Sequence, residues 1–367
     1  MLLGTLRLIL KARPLTAGDI DYKNVRNILI VRQHNQLGDM LCSVPLFASL
    51  RKKFPEAHIT LVASPINYEI LFSDINPYID EVITYDKSGP GSIRKFLKKL
   101  RQRKYQIGIV PSTVSLSRTS HIINALSRAK VKVGVKSIDG KKNDSEYMLN
   151  IKSDFNWTEK KLHQIERNLD IGRQIGCDLD PEDRRIKIAL CDDELRFAEE
   201  YVNKNFPDKN RPVISFHPGA GKVPNRWSVD NFVSVAERLY KAFNNYILIT
   251  SGKIDESVTS EMKNKLEKLG IESEVLKDTP VRKVGAVIKL TDLYITNDTG
   301  VMHVAEGVDA KIVSLFGPTH AYEWAPKGKY NIPIQSKSDN INDITVDEVY
   351  NASVDIMNSV RNKMEAK

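Results

Sequence analysis

Ten short runs rich in Val, Ile and Leu, each five or six residues long, recur along this sequence with helix-period segments between them. They occupy residues 27–32, 58–63, 81–85, 106–110 and 131–135, then 212–217, 246–250, 272–276, 292–296 and 311–315. Apolar runs this short, alternating with amphipathic helices, read as strands of parallel sheets with helical crossovers. A chain of 367 residues exceeds one ordinary core, and the runs fall into two series of five. The expectation is an α/β protein of two similar doubly wound domains.

The polar, proline-bearing segment CDLDPEDRR at 177–185 separates the two series. It places a first domain at 23–180 and a second at 186–344, with a helix at 159–175 closing the first. A C-terminal helix over 345–367 opens on the capping box Thr345-x-x-Glu348. Residues 1–22 stand apart: Leu2, Leu6 and Ile9 share helical spacing with Arg7, Lys11 and Arg13 within and after them. That order differs from a secretory leader and fits either an interfacial anchor or a helix capping the first domain.

Composition narrows the function. Hydrophobic residues at 41% and charged residues at 28% exclude a disordered chain, and there is no apolar stretch of membrane-spanning length. Cys42, Cys177 and Cys191 form no C-x-x-C pair, which argues against a disulfide framework or zinc site and for a reducing, cytoplasmic compartment. The net charge of +9 favours a polyanionic partner: nucleic acid, an anionic membrane surface or a phosphorylated substrate. Part of that charge sits beside an apolar helical stripe, Ile93, Phe96, Leu97 and Leu100, flanked by Arg94, Lys95, Lys98, Lys99, Arg101, Arg103 and Lys104. The stripe is expected to pack on a sheet. The cations suit water, a peripheral contact with an anionic membrane, or a phosphorylated glycolipid. Nucleic acid is disfavoured because no binding motif accompanies the charge.

The loops after the strands carry the chemistry. Neither G-x-G-x-x-G nor G-x-x-x-x-G-K-[ST] follows any of them, so dinucleotide oxidoreductases and P-loop phosphotransferases lose their support. After the first strand, Arg32 leads through Gln33-His34-Asn35-Gln36 to Leu37-Gly38-Asp39 and a helix carrying Leu41, Val44, Leu46 and Leu50. Asp39 either caps that helix or points into a cleft. In the second domain, Thr296-Asn297-Asp298-Thr299-Gly300-Val301-Met302-His303 leaves a strand and opens a short helix ending near Gly307. The helix amides and dipole suit an anion there, Gly300 permits close approach, and His303 can donate to a phosphate oxygen. Asp298 is either a cap or a group that orients its neighbours. Three further loops share this edge: His217-Pro218-Gly219-Ala220-Gly221-Lys222 with Asn225-Arg226-Trp227, Ser251-Gly252-Lys253, and Phe316-Gly317-Pro318-Thr319. Gly219, Gly221 and Gly252 are expected to admit phosphate, Lys222, Arg226 and Lys253 to supply charge, and Trp227 to pack beneath the loop. The pairs Asp19-Ile20-Asp21 and Asp178-Leu179-Asp180 lie outside these loops and read as solvated surface, not a metal site.

Taken in order, these motifs resemble glycosyltransferase family nine, the lipopolysaccharide heptosyltransferases. The resemblance covers most of the chain and rests on residues 28–32 with Leu37-Gly38-Asp39 and Pro45-Leu46, on His217-Pro218-Gly219-Ala220 with Arg226-Trp227, and on Asn297-Asp298-Thr299-Gly300 through His303 to Phe316-Gly317-Pro318-Thr319. It implies the GT-B architecture, two Rossmann-like domains facing each other across a cleft. It further implies inverting, metal-independent transfer of heptose from ADP-heptose to a lipopolysaccharide core or related glycan. The nucleotide sugar enters as substrate, and no cofactor is called for. By that resemblance Asp39 is the general base, and Thr299, Gly300 and His303 form the diphosphate loop with Asp298 as its acidic residue. Gly219, Lys222, Arg226 and Gly252 complete the donor site, and Asp255 or Glu256 matches a ribose-binding carboxylate. The chain departs from the family at Asn225, where a lysine often stands. That departure leaves open a GT-B transferase using another nucleotide sugar; a non-catalytic nucleotide-sugar or glycan-binding protein is the third reading.

Overall fold

The computed structural model describes Arg7, residues 10–33, 36–65, Asn67, 76–85, 89–328 and 330–365. Most of the expected amphipathic segment at 1–10, together with His34 and Asn35 of the first loop, lies outside the described residues. The chain divides into two compact units, residues 1–184 and 185–367.

In the first unit, β1 (Asn27–Arg32) leads into α1 (Leu37–Leu41) and α2 (Val44–Lys53), followed by β2 (His58–Ala63) and β3 (Glu81–Thr84). Then come α3 (Pro90–Leu100), β4 (Ile107–Ile109), α4 (Arg118–Leu126), β5 (Val131–Ile138), β6 (Lys141–Lys142), β7 (Ile151–Phe155) and α5 (Gln164–Arg173). The strands run β3-β2-β1-β4-β5, with β7 added parallel to β5 and β6 antiparallel to the end of β5. The single helix expected after β1 is two helices. Pro45 in the first turn of α2 has no N–H to continue the ladder, and the Ser43 hydroxyl at the break lies 2.9 Å from the Asp39 carbonyl. The helix expected at 159–175 begins only at Gln164. Before it, Asp139 accepts from the Thr158 backbone and hydroxyl at 2.9 and 2.7 Å, and His163 Nδ1 caps the helix by accepting from the Ile165 amide.

The second unit contains α6 (Asp192–Asn205), β8 (Val213–His217), α7 (Val229–Phe243), β9 (Tyr246–Thr250), α8 (Glu256–Lys268) and β10 (Glu274–Leu276). It continues with α9 (Val281–Lys289), β11 (Leu293–Asn297), α10 (Gly300–Gly307), β12 (Ile312–Phe316), α11 (Ala321–Trp324), β13 (Asn331–Gln335) and α12 (Val346–Glu365). Its order, β10-β9-β8-β11-β12-β13, is parallel throughout. Alternate strand residues feed two cores: Ile214, Ile249 and Ile295 pack under α7, α8 and α12, while Val213, Leu248 and Tyr294 pack under α6 and α9. Thr345 and Glu348 form the expected capping box, Glu348 Oε2 accepting from the Thr345 amide and Thr345 Oγ1 from the Glu348 amide.

Both sheets thus follow the Rossmann order, with α/β crossovers on both faces. In each, the order reverses beside the first strand, between β1 and β4 and between β8 and β11. At such a switch point the loops leaving the two central strands diverge, and a crevice opens at their carboxyl ends. Asp178 of the 177–185 segment lies at the surface, within an ion-pair network. Arg173 grips it twice, at 2.8 and 3.0 Å, and Arg184 reaches it at 3.2 Å. Asp180 pairs with Lys52, and Asp19 is held by Thr16.

Candidate functional site

At the switch point of the second unit, the carboxyl ends of β8 and β11 are stapled by Asn297. Its side-chain carbonyl accepts from the Trp227 amide at 3.1 Å, and its Nδ2 donates to the carbonyls of Pro218 and Gly219 at 3.0 and 3.2 Å. Trp227 is buried beneath the loop as expected, its indole N–H donating to the Ile344 carbonyl. Beyond Asn297 the chain turns into α10. Thr299 occupies the N-cap position without a side-chain cap bond, and Asp298, Thr299 and Gly300 are half-buried. The first amides of a helix have no intrahelical acceptor, so this uncapped, partly open end presents donors and the positive end of the helix dipole.

Asp298 is not a helix cap. Its carboxylate accepts from Thr319 Oγ1 at 2.6 Å and Asn225 Nδ2 at 3.1 Å, tying the loops after β8, β11 and β12 together. Burial pushes its carboxyl above the usual carboxylate range, while the Thr319 hydroxyl and the nearby His303 and Lys222 pull it back down. His303 is buried, its Nδ1 3.7 Å from Glu306 Oε2, and the Glu306 carboxylate also receives the Lys327 amide at 3.1 Å. Arg226 donates through Nε to the Ala220 carbonyl at 2.9 Å, so it braces the loop; Lys222 and Lys253 are exposed on the same edge.

Gly219 and Gly252 are glycines for a reason the sequence did not disclose. A Cβ at Gly219 would meet the Asp255 carboxylate at 2.2 Å, and one at Gly252 would meet its Oδ2 at 2.8 Å. Asp255 is wedged between the two loops, accepting from the Gly252 amide at 3.3 Å and facing His217 Nε2 at 3.7 Å. The His217 Nδ1–H donates to the Thr250 carbonyl at 3.0 Å. Burial holds this imidazole below its ordinary pKa, and the Asp255 charge opposes that shift. Glu256, the other ribose candidate, is exposed at the start of α8.

In the first unit, Asp39 lies in the short helix α1, whose N-cap is Gln36, so it is not an N-cap either. It is buried at the end of β1 with Arg32 Nη2 3.9 Å from its Oδ2. The Arg32 guanidinium also donates to the Pro111 carbonyl after β4, bridging the two strands that flank this switch point. The sequence placed Arg32, His217, Asn297 and Thr319 in strand-end motifs but gave none of them the contacts found here: Arg32 with Asp39, His217 with Asp255, Asn297 with Pro218 and Gly219, and Thr319 with Asp298.

Two sheets of Rossmann order, one with uncapped helix amides at its switch point and one with a buried carboxylate at the matching place, define a two-Rossmann α/β protein. The chain belongs to glycosyltransferase family 9 (heptosyltransferase), which matches residues 93–349. That span contains the whole second-unit cradle and begins after Asp39. Lipooligosaccharide heptosyltransferase 2 of Campylobacter jejuni is 27% identical over 143 residues, 38% of this chain and 45% of that protein, so the match spans less than half of that relative. Among solved structures, a glycosyl transferase family 9 protein from Veillonella parvula superposes with a TM-score of 0.78 at 20% identity, covering 91% of this chain and 97% of that one. The ADP-heptose lipopolysaccharide heptosyltransferase II of Escherichia coli gives 0.74 at 20% identity, covering 92% and 99%. These likenesses establish the GT-B fold expected from the sequence.

Proposed function

We propose that this chain transfers a heptose from ADP-heptose to a lipopolysaccharide core or related cell-surface glycan, with inversion at the anomeric carbon. The observation that carries this reading is the uncapped start of α10, framed by Asp298, Thr319 and Asn225 at the second switch point. The acceptor hydroxyl oxygen attacks C1 of the heptose, the bond from C1 to the diphosphate oxygen breaks, and Asp39 takes the hydroxyl proton. ADP leaves with the electron pair of the broken bond. The charge developing on the departing diphosphate is met by the amides of Gly300 and Val301, by His303 and by Lys222. Of the two carboxylates that follow Gly252, Glu256 is the one open to a ribose hydroxyl, because Asp255 is enclosed by the loops it joins.

The test incubates purified protein with a panel of nucleotide sugars and truncated core oligosaccharides and follows products by mass spectrometry. Addition of one heptose from ADP-heptose alone is the expected result; transfer only from UDP- or GDP-hexoses refutes the heptose assignment. One observation favours that second reading: the Asn225 amide is committed to Asp298 and brings no charge where the family often has a lysine. Failure of every donor to turn over, with ADP still bound, would identify a non-catalytic binding protein.

A further inference from the structure

Residues 87–138 contain thirteen Lys and Arg and not one Asp or Glu. Its two helices, α3 and α4, lie on one side of the first sheet. Phe96 and Leu100 of α3 and Ile123 of α4 pack into the same cluster with Leu29 and Val31 of β1, which sets the two helices on one face. Arg101 Nε joins their ends by donating to the Leu126 carbonyl at 3.2 Å. Lys99 and Arg103 are engaged by Glu81 of β3. Arg94, Lys95, Lys98, Lys104, Arg118 and Lys130 are exposed, and none of them meets a carboxylate in an ion pair among the described residues.

Two apolar side chains stand out among these cations. Ile93 does not follow its stripe into the core and is 40% exposed, and Val114, in the segment between β4 and α4, is 53% exposed. Ile93 and Arg94 open α3, and Arg118 opens α4, so with Val114 they lie at the carboxyl edge of the sheet, the edge on which Asp39 sits. No aromatic ring is exposed along α3 or α4, so the stacking platform of a single-stranded nucleic-acid site is missing among the described residues. Cations that keep their charge in water beside shallowly projecting aliphatic groups are the composition of an interfacial surface.

We propose that the α3–α4 face of the first unit docks on an anionic phospholipid bilayer, bringing the strand edge that carries Asp39 to the lipid plane. The proposal adds a place of action to the glycosyl-transfer reading and rests on that reading only for its purpose; the binding itself is independent of turnover.

The experiment is vesicle co-sedimentation of the full chain at about 0.1 M salt, where a surface attraction is felt over roughly 10 Å. Vesicles are phosphatidylcholine alone, or phosphatidylcholine with about a third phosphatidylglycerol. At least about tenfold stronger partition to the anionic vesicles is expected. The triple variant Arg94→Glu, Lys95→Glu, Lys98→Glu should lose about tenfold or more of it. The same charge change in the second unit, Lys268→Glu, Lys277→Glu, Lys289→Glu, should cost no more than about twofold. A neutralising triple to Gln covers the case in which the reversal fails to fold, and ADP affinity measured on every variant reports the state of the donor site separately. Equal partition to both vesicle types, an α3 triple that binds like the parent, or a second-unit triple that loses as much would each overturn the proposal. Displacement from the vesicles by duplex DNA at equal phosphate would assign the face to nucleic acid instead.

Discussion

The two units share one strand order and differ in almost everything that the order displays. Residues 1–184 hold 30 Lys and Arg against 20 Asp and Glu, a net charge of +10, whereas residues 185–367 hold 25 against 26, a net charge of −1. At the first switch point a carboxylate is buried beside a guanidinium, Asp39 with Arg32. At the second, an uncapped helix end meets a raised carboxyl and loops closed by Asp255. The same backbone therefore offers the same crevice twice, with a buried carboxylate at one and uncapped helix amides at the other. The function proposed above assigns the proton acceptor to the first and the anion to the second. The charge of the whole chain is a property of the first unit alone, so it speaks for what that unit touches and says nothing about the diphosphate.

This division of labour can be broken by substitution. Asp39→Asn keeps the shape of the first switch point and removes its base, so turnover should fall on the order of 10²- to 10⁴-fold while ADP affinity by calorimetry stays unchanged. A parallel loss of ADP binding would show that the units do not divide the task. Gly219→Ala drives a methyl into the Asp255 carboxylate and should cost about 1–3 kcal/mol of strain, read as a drop in ADP affinity and in the thermal midpoint together. An alanine variant that binds ADP normally would show that the loop can yield. His303→Ala should weaken ADP by about tenfold, the worth of one hydrogen bond to a charged oxygen; unaltered affinity would remove His303 from the cradle. Lys222→Ala, at an exposed position, should cost only about two- to threefold. A far larger loss would mean that Lys222 has taken over the charge that Asn225 lacks.

The smallest effect compares the units through their buried histidines. Burial holds both His121 and His217 below the ordinary histidine value. The unfolded chain then takes up more protons than the folded one from the unfolded value of about 6.5 downward. Their contribution is fully present above that pH and is lost as pH falls through the depressed folded values. A thermal midpoint that drops by a few degrees on acidification is expected, with His121→Gln and His217→Gln each flattening part of the slope. A slope unchanged in both variants would place the acid sensitivity elsewhere.

Much of the fold was legible because a buried parallel strand needs little beyond a short β-branched run. The strands that escaped, β6 (KK), β7 (IKSDF) and β13 (NIPIQ), pair on one side only and none is fully buried, so charge and even Pro333 are tolerated there and no apolar run marks them. The strand-to-helix turn around Asp298 and Gly300 was legible because capping residues and glycine after a strand have few other uses. What those residues touch was not. That Gly219 and Gly252 each lie against Asp255 left no mark in the sequence, and Asp298 proved to join three loops instead of capping one helix.

The sequence by itself determined ten of the thirteen strands described, most helix spans, the existence of two units and which loops lie at strand ends. These follow from periodicity and from backbone preferences that act within a few residues. Only the tertiary structure decided that Arg32 lies beside Asp39, that Asp255 closes two glycine loops, and that α3 and α4 merge into one acid-free face. Those contacts join residues such as Arg32 and Asp39, 7 positions apart, and Gly219 and Asp255, 36 apart. They depend on strand order, and strand order is set when the sheets bury their apolar faces, a collective choice that no local run of sequence records.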